Sequence, residues 1–195
     1  MKKMSFSKKQ QGLNLIELLL VLAIVVAIAV AAFVIYPRVQ ASRSASTNSQ
    51  IISAALAQTQ SIFQNGQYAK LNNLVASRSE IFPDSFVIGS TGILANEFAP
   101  DATNNVSING SESDGTTATD NSARYVTMVY GDVPSNVCIK LIPGLAANFG
   151  RISIGAVDLV NKFDGSAAND VLDEAAMVTN CNATTGVVDI EMTAR

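Results

Sequence analysis

The 195-residue chain has 13 basic residues, 16 acidic residues and no histidine, which gives a formal net charge of −3. The absence of histidine excludes Ser-His-Asp and Cys-His nucleophile arrangements and most zinc sites. An acidic balance does not suit general nucleic-acid binding, which needs lysine and arginine contacts to phosphates. With no P-loop and no dinucleotide motif either, the sequence predicts a protein that is not an enzyme and has no metal, cofactor or nucleic-acid partner.

The first 12 residues form a short polar segment with four lysines and no acidic residue. Basic residues before an apolar run keep that side of a membrane segment in the cytoplasm, so we expect the acidic remainder of the chain outside. Residues 1–12 are predicted to be a leader peptide and not part of the folded protein.

The next segment is a run of nineteen apolar residues from Leu18 to Tyr36, which is long enough to cross a bilayer as a helix. Glu17 lies directly before this run, and a carboxylate so close to the membrane indicates a function. If the chain were cut after Gly12, the new α-amine of Leu13 would lie one helical turn from Glu17, on the same chain or on a neighbour. The alternatives are an acid that reaches the interface by chance and a glycine that is a plain flexible joint.

From Pro37 the pattern changes from apolar on all sides to amphipathic. Apolar positions recur at spacings of mostly three and four, at Val39, Ala45, Ile51, Ile52, Ala55, Leu56, Thr59, Ile62 and Phe63. Pro37 is able to kink the helix, and Asn65-Gly66 is a favourable stop. We therefore predict one helix from about Leu13 to Phe63, with a transmembrane part at residues 13–36 and an amphipathic part at residues 37–65.

Residues 66–195 are predicted to form a globular head of the α+β class. The expected elements are a short helix near Leu71–Val75, strands at Phe86–Ile88, Tyr125–Tyr130, Arg151–Ile154 and Val187–Met192, and helices at Pro134–Ile142 and Asn169–Asn180. The polar stretch from Pro100 to Ser122 reads as an exposed loop. The fold class is then a long N-terminal helix packed on a mostly antiparallel sheet of about four to six strands.

Cys138 and Cys181 are the two cysteines of the chain, and both follow the apolar run. In an exported domain a disulfide between them is the economical interpretation, and two buried thiols are the alternative. Asp158, Asp164 and Asp170 could in principle ligate calcium. Their spacing fits no EF-hand loop, so we interpret them as part of a solvated loop.

The segment Gly12-Leu13-Asn14-Leu15-Ile16-Glu17 resembles the type IV prepilin signature: a basic leader, a glycine, a hydrophobic residue and a glutamate at the fifth mature position. The cysteine pair 138–181 resembles the disulfide-bounded region of type IV pilins. Leu13 as the first mature residue, the mature length and a helix–strand–helix layout between the cysteines are most similar to the type IVb subclass, the bundle-forming and toxin-coregulated pilins. The leader is shorter than is common in that subclass.

The resemblance implies processing by a prepilin peptidase, which would cleave between Gly12 and Leu13 and N-methylate Leu13. It also implies a precursor in the inner membrane of a Gram-negative bacterium, which an assembly ATPase and a platform protein would polymerise into an extracellular helical fibre of identical subunits. Glu17 would pair with the α-amine of Leu13 on a neighbouring subunit. Such a fibre would serve adhesion, aggregation or colonisation through contacts with host cells or neighbouring pili.

The leading hypothesis is therefore a structural subunit, the major pilin of a type IVb-like pilus. Within the same family the alternatives are a minor pilin and a type II secretion pseudopilin, and the cysteine pair argues against the latter because pseudopilins usually lack a disulfide. The alternative of another class is a single-span, membrane-anchored extracytoplasmic binding protein. Cleavage after Gly12 and a fibre that depends on Glu17 would separate these hypotheses.

Overall fold

The computed structural model describes residues 15–89, 92–100, 105–118, 122–182 and 185–195. The chain divides into two compact units, with the boundary between Gln40 and Ala41. Helix α1 runs from Leu15 to Ile62 and supplies residues to both units. The predicted single long helix is confirmed over these residues, and Leu13 and Asn14 lie outside the described residues. The helical assignment continues without a break through Pro37.

The amphipathic part of α1 buries one face in the second unit. The buried residues of the helix are Ala41, Ala45, Asn48, Ile52, Ala55, Leu56 and Thr59. This face follows most of the predicted apolar stripe, although Ile51 and Phe63 are half-buried and two positions towards its ends are exposed. Val39 is 45% exposed because it precedes the second unit, and Ile62 is 43% exposed because it is the last residue of the helix.

The second unit contains three further helices and seven strands among the described residues. The helices are α2 (Asn73–Arg78), α3 (Ser135–Leu145) and α4 (Glu174–Cys181). The strands are β1 (Val87–Ile88), β2 (Ile93–Leu94), β3 (Val106–Ser111), β4 (Tyr125–Pro134), β5 (Arg151–Ile154), β6 (Val157–Asn161) and β7 (Val187–Ala194). A short 3₁₀ turn at Asp84–Phe86 precedes β1.

The strands form one antiparallel sheet in the order β1-β2-β3-β4-β7-β5-β6. The last strand therefore lies inside the sheet, between β4 and β5. The α+β class, with a long N-terminal helix packed on an antiparallel sheet, is confirmed. The predicted number of strands was too low because β2, β3 and β6 were not among the expected strands: β2 has only two residues, β3 has two apolar side chains in six, and β6 departs from strict alternation at Leu159-Val160.

The predicted loop from Pro100 to Ser122 is wrong for residues 106–111, which form β3. This strand pairs with β4 from Val106, opposite Tyr130, to Ser111, opposite Tyr125. Its polar residues are tolerated because they find partners: the buried Thr127 hydroxyl donates to the Ser111 hydroxyl at 2.8 Å. Two apolar residues in six were too few to indicate a strand.

The segment between the cysteines also differs from the prediction. Helix α4 begins at Glu174 and not at Asn169, because Asp173 caps it by accepting a hydrogen bond from the Ala176 N–H at 2.9 Å. Val171, which lies within the predicted helix, precedes the observed one and is 72% exposed. Two strands, β5 and β6, lie between α3 and α4, so the layout is helix–strand–strand–helix.

Asp158 belongs to β6, so the predicted solvated loop is wrong for this residue. Asp164 lies in the turn that follows β6, where its carboxylate accepts hydrogen bonds from the Asn169 side chain and the Ser166 N–H. These two bonds lower the pKa of Asp164. Across the described residues, no three histidine, cysteine, aspartate or glutamate side chains come together as a metal site.

Candidate functional site

The first unit presents an apolar helix surface that no other described residue of the same unit covers. Every described residue from Leu15 to Gln40 is exposed, and the large apolar side chains reach 72% exposure at Leu15 and 80% at Phe33. By length and composition, α1 is able to cross a membrane. A contiguous apolar surface of this size on a folded protein marks a contact with lipid or with other protein chains.

Glu17 is the one acidic residue of this surface and lies in the first turn of α1, where the helix dipole favours a negative charge. Its side chain is exposed, and within the described residues no ion pair to it is formed. The one basic residue in the described part of this unit is Arg38, about 30 Å farther along the helix. The predicted cleavage and methylation positions, Gly12 and Leu13, lie outside the described residues. The geometry of the predicted Glu17–Leu13 pair is therefore not part of this structure.

The disulfide joins the two helices that begin and end the cysteine-bounded region. Cys138 in α3 and Cys181 at the end of α4 are bonded, with 5.7 Å between their Cα atoms, and both are fully buried. The predicted disulfide is confirmed. On the chain-entropy model a loop of this length stabilises the fold by about 4 kcal/mol. The bond thereby fixes α3 and α4, and with them one flank of the head.

A buried polar network fixes the amphipathic part of α1 against the sheet. The Asn48 amide donates to the Glu97 carboxylate at 2.7 Å and to the Ser44 carbonyl at 2.8 Å, and its oxygen accepts from the Tyr130 hydroxyl. Burial raises the pKa of Tyr130 far above its usual range, and the Glu97 charge raises it further. The side chains of Asn48, Glu97 and Tyr130 can all form these hydrogen bonds only at one axial position of α1. The network therefore holds α1 in place along β4.

Sequence reasoning missed Asn48, although a signal was present. This residue lies between Ala45 and Ile52 on the buried face of α1, at an apolar position of the helical repeat. A polar residue at such a position indicates a buried hydrogen-bond partner. The partners themselves were not predictable, since Tyr130 is 82 residues away in the chain.

Arg151 on β5 connects three strands and a loop. Its guanidinium pairs with Asp158 at 2.8 Å and with Glu191 at 3.0 Å, and it donates to the Asp114 carbonyl. The pKa of the Asp114 carboxyl is lowered, first by hydrogen bonds from Thr116 and to a smaller extent by the Arg151 charge. The Arg151 side chain is only 16% exposed. This cluster is a structural connection within the sheet and includes no nucleophile or proton-transfer pair.

Two shallow grooves flank the outward ridge of α1 within the second unit. The α2-side groove, with a volume of about 420 Å³, is lined by Ile51 and Ala54 of α1 and by Glu80, Ile81 and Pro83. The α3-side groove, about 540 Å³, is lined by small residues of α1 and by Lys140 and Gly144 of α3. Gln50 borders both grooves and separates them. Neither groove could be predicted from the sequence, because each joins elements that are distant in the chain.

In a comparison with known protein families, the chain matches the family described as PilS N terminal over residues 42–193. The matched range begins in the amphipathic part of α1 and includes almost all of the head. The apolar half of α1 and the Gly12–Glu17 signature lie outside it, so the match and the signature are independent observations. No curated protein matches the chain.

Proposed function

The chain belongs to the PilS N-terminal family, which is pilin-related, and we propose that it is the major structural subunit of a type IVb-like pilus. A prepilin peptidase removes residues 1–12 by cleavage between Gly12 and Leu13 and N-methylates Leu13. Before assembly the subunit is held in the inner membrane of a Gram-negative bacterium, with residues 66–195 on the side away from the cytoplasm. An assembly ATPase and a platform protein then transfer it into an extracellular fibre.

The observation that carries this proposal is the exposed apolar half of α1, joined to a head that is closed by a disulfide. In the membrane this helix surface contacts lipid tails, and in a fibre it contacts the same helix of other subunits. Both surroundings keep the apolar side chains away from water, so transfer from one to the other loses little hydrophobic free energy. Residues 13–36 therefore serve first as a membrane anchor and then as an assembly helix, with residues 37–65 as the amphipathic link to the head.

In this proposal Glu17 determines the axial position of each subunit relative to its neighbours in the fibre. Within a bundle of apolar helices its carboxylate needs a cation, and the described part of its own unit has none nearby. The α-amine that cleavage creates on Leu13 of a neighbouring subunit meets this need. Removing one partner of a buried ion pair costs about 3–5 kcal/mol, which is enough to select one axial position of the incoming subunit.

The test is the substitution Glu17→Val, with Leu19→Val as a control in the same helix turn. We expect Glu17→Val to leave cleavage and membrane insertion intact and to abolish filaments, because the carboxylate that fixes the register is lost. Leu19→Val should form filaments normally. Electron microscopy of the cell surface measures the filaments, and mass spectrometry of the membrane fraction measures the N-terminus.

Normal filaments with Glu17→Val would refute the role of Glu17. A wild-type chain that is never cleaved and never found in filaments would instead favour the single-span binding protein. A cleaved chain that is present in filaments only in small amounts would identify a minor pilin.

A further inference from the structure

The turn after α2 has a strained residue that the fold itself does not require. Glu80 has φ = 53°, and apart from Asp132 every other described residue with positive φ is a glycine. Ile81 N–H donates to the Ala76 carbonyl at 3.1 Å, which makes Glu80 the left-handed residue of a Schellman cap. Glycine takes this conformation without strain, whereas a residue with a Cβ atom does not.

No contact within the head accounts for glutamate at this position. The Glu80 side chain is exposed, and it forms no ion pair or hydrogen bond with any of the described residues. Its surroundings are the α2-side groove, where Ile51, Ala54 and Pro83 provide an apolar surface beside the carboxylate. A charge held next to an apolar groove in a strained turn is suited to a contact outside its own chain.

The opposite flank of α1 carries the complementary charge. Lys140 is exposed at the α3-side groove, where its ammonium donates to the Ser42 hydroxyl at 2.9 Å. Apart from Gln50 at its border, the rest of that groove is lined by small residues, which include Ser46, Ser49 and Gly144. This flank therefore offers a cation beside an open volume, and the α2 flank offers an anion beside an apolar turn.

A fibre of identical subunits needs two different faces that fit each other, since a symmetric contact would close into a dimer. We propose that the α2-side groove of one copy docks on the α3-side groove of the next, with Glu80 of the first copy paired to Lys140 of the second. This inference rests on the proposed function for its context and adds a specific contact between heads. The disulfide supports the contact because it fixes α3, which carries Lys140.

Charge reversal tests the pair. Glu80→Lys and Lys140→Glu should each lower the filament yield by about tenfold, and the double variant should restore it, because the reversed charges again attract. Glu112→Lys, which reverses an exposed acid outside both grooves, is the control and should leave the yield unchanged. A double variant no better than the single ones would overturn the pairing.

A glycine substitution separates the charge of Glu80 from its backbone strain. Glu80→Gly should raise the unfolding temperature of the full chain in detergent and still lower the filament yield. A normal filament yield with this variant would overturn the proposal, and a lower unfolding temperature would show that the head itself needs the glutamate.

Cross-linking distinguishes failure of the contact from failure of the proposed function. The two native cysteines are bonded to each other, so added cysteines are the free thiols of the chain. A chain with both Glu80→Cys and Lys140→Cys should give a ladder of covalent multimers with a short bis-maleimide, whereas each single variant should not. Filaments without a ladder would refute the contact and leave the fibre proposal intact. A ladder without filaments would support the contact and refute the fibre.

Discussion

At the scale of single residues, Tyr130 connects the stability of the head to pH. Its hydroxyl is buried, donates to Asn48 and lies near the Glu97 carboxylate, and these surroundings favour the protonated phenol. A raised folded-state pKa contributes stability below the ordinary tyrosine pKa of about 10, and that stability is lost as the pH rises above this value. The head should therefore lose stability above about pH 10.

The substitution Tyr130→Phe tests this link. The variant should be less stable than wild type at pH 7, by about 1–3 kcal/mol, because the Asn48 oxygen loses its donor in a buried site. It should also lose less stability between pH 9 and pH 11, because the group that titrates is absent. Thermal unfolding of the full chain in detergent, followed by circular dichroism, measures both effects. Parallel curves of stability against pH for the two proteins would contradict the assignment of the pH dependence to Tyr130. The dependence would then come from a group that both proteins contain, such as Tyr68, whose pKa is also raised by burial.

The residues that the sequence predicted are those that break a local pattern. Glu17 precedes an apolar run, Gly12 ends a basic segment, and Cys138 and Cys181 are the two cysteines of the chain. The ion pair of Arg151 could not be predicted in the same way, because its partner Glu191 is 40 residues away in the chain. A charge pair of this kind depends on strand order, which alternation within each strand does not determine.

At the scale of elements, β3 is held close to the loop that follows α1. A Cβ atom on Gly110 would collide with the backbone carbonyl of Tyr68, and backbone is unable to move aside as a flexible side chain does. Gly110→Ala should therefore lower the stability of the head by about 1–3 kcal/mol. Ser107→Ala, on the opposite face of the same strand, should have little effect. Equal unfolding temperatures for the two variants would show that the close approach of β3 to Tyr68 does not contribute to the stability of the head.

Elements with strong periodicity were predicted well, and elements stabilised by tertiary contacts were not. The α1 stripe and the alternation of β5 and β7 are visible within short windows. Strand β3 owes its place to pairing with β4 and to polar partners across the sheet. The start of α4 depends on the cap at Asp173, a local signal that the longer apolar pattern obscured.

At the scale of the whole molecule, the chain has two contrasting parts. One is the apolar, exposed half of α1, and the other is an acidic head with a disulfide bond. The fold class and the cysteine pairing could be predicted because the apolar pattern marks the main elements and the chain has only two cysteines. The grooves beside α1 could not, since each is formed by elements that meet only after folding. In our account the helix supplies most of the apolar contact of the fibre, and the heads supply its specificity.

The most direct test is intact-mass spectrometry of surface filaments that have been sheared from cells expressing the chain. We expect the main protein of these filaments to begin at Leu13, to carry one added methyl group and to contain one disulfide between Cys138 and Cys181. If the chain is instead recovered only from the membrane, with residues 1–12 still attached, the account of a polymerising subunit is wrong.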